Sequence, residues 1–148
     1  MNVEERIGTT KVLPLISKTI IHQMLVSNTI SEGIGQALKP FDVSLQQFNV
    51  LRILRGQNSK AANLSTINEK MITRMSNTSR LVDKLLLKGY LNRVVCPSNR
   101  RKIEITITAS GKAALLKMDT AVATAEKQLL KNFTNKELEE LNELLNKF

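Results

Sequence analysis

Asn77, Thr78, Ser79 and Arg80 form an unbroken run with Lys84 close behind, and a second run, Arg100-Arg101-Lys102, follows beside a Pro-Ser-Asn turn. The chemistry open to these side chains is recognition, not bond making. Asparagine and arginine can pair with adenine and guanine edges, serine can serve a base or a phosphate, and lysine supplies a point charge. Covalent or metal chemistry has little to draw on. The chain holds one cysteine, Cys96, and one histidine, His22, 74 positions apart, too few ligands for a typical zinc site. Gly33-Ile-Gly35 is too short to cradle a phosphate, and no P-loop occurs. No catalytic residue, metal site or cofactor is expected, and an enzyme is the least supported reading.

Charge placement sharpens the expectation. Of a formal net charge of +9, most lies between Lys70 and Lys102, where nine cations face one acid, Asp83. The last stretch, Phe133 to Phe148, is net acidic, with four glutamates against two lysines. A basic run can be a solvated face and no more; the alternative is a surface that binds a polyanion. At 148 residues and 42% hydrophobic, the chain is sized for one domain with a core. Aromatics are only 3%, so that core must be mostly aliphatic. No apolar run reaches the roughly 18 residues that span a bilayer, and the N-terminus lacks a signal-peptide apolar region. A cytoplasmic protein is the default expectation.

The elements that must position these residues follow from periodicity. Leu13, Ile16, Ile20 and Met24 give a helical stripe from about Thr10 to Ile30, with Pro14 in the first turn. Ser44 and Gln47 form a capping box for a helix through Leu45, Phe48, Leu51 and Leu54, ended by Gly56. Asn63 caps a short helix bearing Leu64, Ile67 and Met71. A second short helix, about Ser76 to Lys88, turns Thr78, Leu81, Val82 and Leu85 inward and closes at Gly89. Asn77, Ser79, Arg80, Asp83, Lys84 and Lys88 fall on or near its other face.

Strand signals come next. Leu91–Val95 is short, while Ile103, Ile105 and Ile107 alternate with polar residues. Thr108 caps a long helix through Leu115, Met118 and Val122, and Thr134 with Glu137 boxes a last helix striped by Leu138, Leu141, Leu145 and Phe148. The fold class is mostly α with a small β-hairpin. Two short helices joined by a tight turn and followed by a basic hairpin make a winged helix-turn-helix, whose second short helix enters the major groove. Arg80 is the first choice for a base or phosphate contact. Asn77, Thr78, Ser79 and Lys84 complete the candidate set on that helix. Arg100, Arg101 and Lys102 would lay cations along or into a minor groove.

The runs LQQFNVLRIL, MSNTSRLVDKLLLKGYLNR, SNRR and ITITASGK together resemble the MarR (multiple-antibiotic-resistance regulator) family from about Phe41 to Lys117. Ser79, Arg80, Asp83, Leu85, Lys88, Gly89, Arg93, Arg101, Thr108 and Gly111 match that family's pattern. Asn99 departs from it, standing where the family has a wing acid, so it can shape the turn but not neutralise an arginine.

The resemblance implies a homodimeric transcriptional regulator, usually a repressor, on a pseudo-palindromic operator in double-stranded DNA. It divides a single domain, residues 1–148, into a winged lobe over about 41–108 and dimerisation helices over about 10–35 and 109–148. Members of that family often respond to a small aromatic effector held between the dimer helices and the DNA-binding lobe, others to oxidation of a cysteine. His22 reads as an ordinary surface or packing residue, and Cys96 as a small packing residue with no second cysteine to resolve it. Apart from the family, the wide first stripe and the leucines of the last helix need a partner surface. The competing reading is a winged-helix protein-interaction module that has lost DNA binding.

Overall fold

The structure, a computed structural model, describes residues 2–58, 60–74, 76–96 and 99–148; for residue 96 and for 99–102 it describes the backbone alone. A short helix the sequence reading did not anticipate, α1 (Val3–Ile7), opens the chain. Asn2 caps it, and Gly8 closes it with φ 71°, where a side chain would be strained. Val3 is buried against the next helix, and Glu4 pairs with Lys18 at 2.9 Å. The long helix α2 runs from Leu15 to Leu38. It starts later than Thr10 because Pro14, with φ −55° and ψ 141°, stands extended at its N-cap. It also runs further, into a 3-10 turn at Lys39–Phe41, and Asp42 in left-handed backbone (φ 50°) redirects the chain.

α3 (Leu45–Gly56) begins on the expected reciprocal box: Gln47 N–H donates to Ser44 Oγ at 3.2 Å, and Ser44 N–H to Gln47 Oε1 at 2.8 Å. Gly56 is its last residue; the positive φ that ends the path comes at Asn58. α4 (Leu64–Lys70) starts where Asn63 Oδ1 accepts from Thr66 N–H at 2.8 Å. α5 (Thr78–Leu87) is followed, after Lys88, by Gly89 in left-handed backbone, φ 71°. The hairpin joins β1 (Leu91–Cys96) antiparallel to β2 (Asn99–Ile107), with Leu91 opposite Ile107 and Arg93 opposite Ile105. Ala62 exchanges two backbone hydrogen bonds with Ile105 on the outer edge of β2, at 3.0 and 2.8 Å, tying the base of the hairpin to the start of α4.

α6 (Ala109–Leu129) follows, capped by Thr108, and α7 (Asn135–Leu145) is capped by the Thr134–Glu137 box. One aliphatic core unites the lobe with α6: Leu51, Leu54, Ile67, Val82, Leu85, Ile105, Leu115 and Met118 are all buried in it. α2 packs chiefly on α6, and a side chain at Gly33 would crowd Leu129 at 3.0 Å.

The joint between lobe and α6 is tighter still. Thr108 N–H donates to Tyr90 O at 3.0 Å and Thr108 Oγ1 to Gly89 O at 2.7 Å. A Cβ on Gly111 would lie 2.2 Å from that same Tyr90 oxygen, so only glycine lets α6 start there. Arg55 on α3 and Asp119 on α6 form an ion pair across the same junction. Among the described residues, no helix is long and apolar enough to cross a membrane.

Candidate nucleic-acid interface

Two short helices meeting at a fixed angle need a tie, and Thr78 provides one. Its hydroxyl donates to Asn68 Oδ1 at 2.9 Å, joining α5 to α4 below the surface. Val82 and Leu85 continue that inner face into the core, with Leu81 half-buried beside them. The helical period then sends Ser79, Arg80, Asp83 and Lys84 outward, all exposed. Thr78, at 5% exposed, thus sits on the inner face of α5 and takes part in the packing of the motif. Asn77 sits exposed at the N-cap and makes no capping hydrogen bond. Its amide is aimed at solvent together with the helix N-terminus.

The charges on this face divide into two classes. Arg80 and Lys84 make no ion pair with any described residue. Lys88 and Asp83 do. Lys88, half-buried at the C-terminal end of α5, reaches Asp42 at 2.6 Å and so ties the helix to the turn after α2. The Lys88 ammonium, first as hydrogen-bond donor and then as a charge, holds the Asp42 carboxyl below the usual carboxylate range. Asp83 pairs with Arg93 of β1 at 3.1 Å. Lys88, assigned to the outer face from sequence, is thus engaged along the lobe. The signal for this was weak, because Asp42 lies far away in sequence. Periodicity also gave no warning of Ile72 and Leu87, which are 86% and 88% exposed on the lobe.

The hairpin carries Arg100, Arg101 and Lys102 on the backbone of β2, just past the turn. Their side chains, and that of Cys96, lie outside the described residues. Asn99 stands opposite Cys96, after a register shift between Val95 and Cys96. His22 is half-buried on α2, away from this lobe in the chain. Among the described residues no group of three or more His, Cys, Asp or Glu could hold a metal ion.

Comparison with known proteins agrees with this geometry. The model of the MarR family matches residues 43–103, from the turn before α3 into β2. The HTH-type transcriptional regulator PecS of Dickeya dadantii is 28% identical over 122 residues, covering 81% of this chain and 73% of that protein. The multiple antibiotic resistance protein MarR of Escherichia coli is 27% identical over 131 residues, covering 86% of this chain and 87% of that one. The crystal structure of wild-type MarR in its apo form from Escherichia coli superposes with a TM-score of 0.72 at 25% identity, over 93% of this chain and 98% of that one. A cysteine-to-serine mutant of the same protein, complexed with operator DNA, matches in fold with a TM-score of 0.76 at 22% identity, over 99% and 98% of the two chains. Motif, fold and relatives converge: residues 43–103 match the MarR family model, and the chain is similar over most of its length to winged helix-turn-helix transcriptional regulators that include the MarR protein itself.

Proposed function

We propose that the protein is a homodimeric repressor that reads a pseudo-palindromic operator in the cytoplasm. The observation that carries this reading is the outer face of α5, where Arg80 and Lys84 are exposed and make no ion pair with a described residue. An unpaired cationic face costs solvation nothing while it is exposed, and it gains by releasing counterions when phosphates replace water. In this reading Arg80, Asn77 and Ser79 meet base edges or phosphates, Lys84 meets phosphate, and Arg100, Arg101 and Lys102 lie along the neighbouring minor groove. The whole chain, residues 1–148, acts as one domain, with about 41–108 on DNA and about 10–35 and 109–148 at the dimer interface.

The dimer rests on a second observation. Leu15 and Ile16 are 80% exposed and Met24 62% on α2, and Leu144 is 57% exposed on α7 with Phe148 84% just past it. α7 has no fully buried residue and is not among the described elements that pack closely on one another. Apolar surface of this kind marks an interface, and a second copy offers the same helices in return. A two-fold axis there would also set the spacing of two recognition helices, as half-site recognition requires.

A competing reading, a winged-helix module for protein partners, draws on the exposed Ile72 and Leu87. One measurement separates the two: duplex affinity followed across salt concentration. A DNA-binding protein should lose affinity along a straight line in log K against log salt, with slope near −0.9 per phosphate contact. A flat line between low and moderate salt removes the DNA reading and leaves the protein-interaction one.

A further inference from the structure

Asp83 is the lone acid among the nine cations of the Lys70–Lys102 window, and it lies on the face where a phosphate would repel it. Its own helix offers it Lys84 next door and Arg80 one turn back. It pairs with neither. The partner is Arg93, on another element, with Nη1 at 3.1 Å from Oδ1. Strand alternation explains why. Leu91 is buried on the inner face of β1, and Arg93, two residues on, shares that face directly opposite Ile105, which is fully buried. A cation has been placed where the pattern calls for an apolar residue, and the Asp83 carboxylate meets it.

Beyond this pair the first wing strand becomes more exposed. Val94 and Val95 are 56% and 50% exposed, and the pairing register shifts just after them. The Arg93–Asp83 ion pair is a side-chain tie between the hairpin and α5, set just before the more exposed part of the strand. We infer that Asp83 is a positioning residue for operator discrimination: through Arg93 it fixes the angle between recognition helix and wing, so that the two enter adjacent grooves in one register. Asp83 touches no base in this account. It also stays off Arg80 and Lys84, and those two keep their charge for the nucleic acid. The inference rests on the DNA-binding reading above.

The test uses the full-length protein and a duplex selected from a random library by the wild type, compared with a scrambled duplex of the same composition. Asp83→Asn is nearly isosteric at a half-exposed site and should leave thermal unfolding close to wild type. It should cut the selected-to-scrambled affinity ratio on the order of fivefold, a size in keeping with an exposed ion pair acting at two half-sites. Affinity for the scrambled duplex should rise, because a negative charge is gone and Arg93 is released. Asp83→Glu should keep most of the ratio. The charge exchange, Asp83→Arg with Arg93→Asp, should restore it, which a carboxylate contacting DNA directly could not do.

If Asp83→Asn raises both affinities together and leaves the ratio unchanged, Asp83 only offsets charge and the inference is wrong. A lowered melting temperature with an unchanged ratio also removes it. So does a lost ratio that the exchange fails to restore. Failure of the underlying reading looks different: the wild type would then enrich no duplex and show no salt-dependent binding.

Discussion

The helix-turn-helix lobe and the two ends of the chain solve the same surface problem in opposite ways. In the lobe, the aliphatic side chains of α3, α4 and α5 go into a common core with α6, and the outer face of α5 carries charge, with Arg80 and Lys84 in no ion pair with a described residue. At the ends, charges and polar groups are satisfied locally, as in the Glu4–Lys18 pair and the Thr134–Glu137 box, while the aliphatic stripes of α2 and α7 stay in solvent. Unpaired cations are comfortable in water and wait for a polyanion; bare leucines are not, and call for another apolar face. Each region thus declares the chemistry of its partner by what it leaves unmatched. Ile72 and Leu87 are the lobe's exceptions, and Leu87 is flanked by Lys84 and Lys88.

The contrast breaks most visibly if the apolar end is removed. Deleting Thr134–Phe148 strips Leu141, Leu144, Leu145 and Phe148 and leaves their counterpart surface bare. Monomers or aggregates should appear in sedimentation, and operator affinity should collapse, since one half-site no longer brings the other. A truncated protein that still sediments as a dimer would move the interface elsewhere.

The joint between the regions comes next in size. Gly111→Ala drives a methyl group into the Tyr90 carbonyl, a backbone atom that cannot rotate away. The expected destabilisation is about 1–3 kcal/mol, the range for overpacked sites, seen as a lower denaturant midpoint. An unchanged midpoint would mean that α6 can slide on the Gly89–Tyr90 turn, and that the lobe is not rigidly joined to α6.

Within the lobe, Arg80→Ala should lower discrimination between operator and random duplex by about 1–3 kcal/mol if the guanidinium reads a base edge. Arg101→Ala should instead weaken both duplexes evenly and flatten the salt slope by about one contact. Unchanged specificity in Arg80→Ala would shift the reading face away from α5.

Acid should produce the smallest effect, and it should touch both regions alike. Asp42 in the lobe and Glu137 on α7 each have a carboxyl held below its ordinary range, the first by Lys88 and the second by the Thr134 backbone N–H and then its hydroxyl. A depressed carboxyl contributes stability above its unfolded pKa and loses it as pH falls through the folded one. Between pH 7 and 5 neither should matter. Asp42→Asn should therefore run parallel to wild type in melting temperature over that range and converge on it only below about pH 4. Divergence above pH 5 would assign the titration to another group.

Much of this architecture is legible in the chain because its signals are local. Ser44 with Gln47, Asn63, Thr108 and Thr134 with Glu137 each cap the helix they were expected to cap, since a capping hydrogen bond spans only a few residues. The inward set of α5 followed from its period alone. Errors gathered where a local pattern gives no direction. A five-residue helix at Val3–Ile7 is too short to show a stripe, and Pro14 was taken for a first-turn residue when it stands at the N-cap. Thr78 is inward by its period and a contact candidate by its type, and its bond to Asn68 shows it on the inner face.

The sequence by itself determined the helix order, the wing, the concentration of cations between Lys70 and Lys102, and the family motif, all of which depend on neighbours along the chain. Tertiary structure alone decided which of those charges are spoken for. Lys88 meets Asp42, and Asp83 meets Arg93, across gaps in sequence that periodicity cannot bridge, so two of the six outward candidates become internal ties. It also decided that the stripe of α2 is open to solvent and not to the core, because α6 covers only one side of that helix. The physical reason is the same in each case: a pattern of 3.6 or 2 residues names the face a side chain occupies, whereas what lies opposite that face is set by the packing of distant elements.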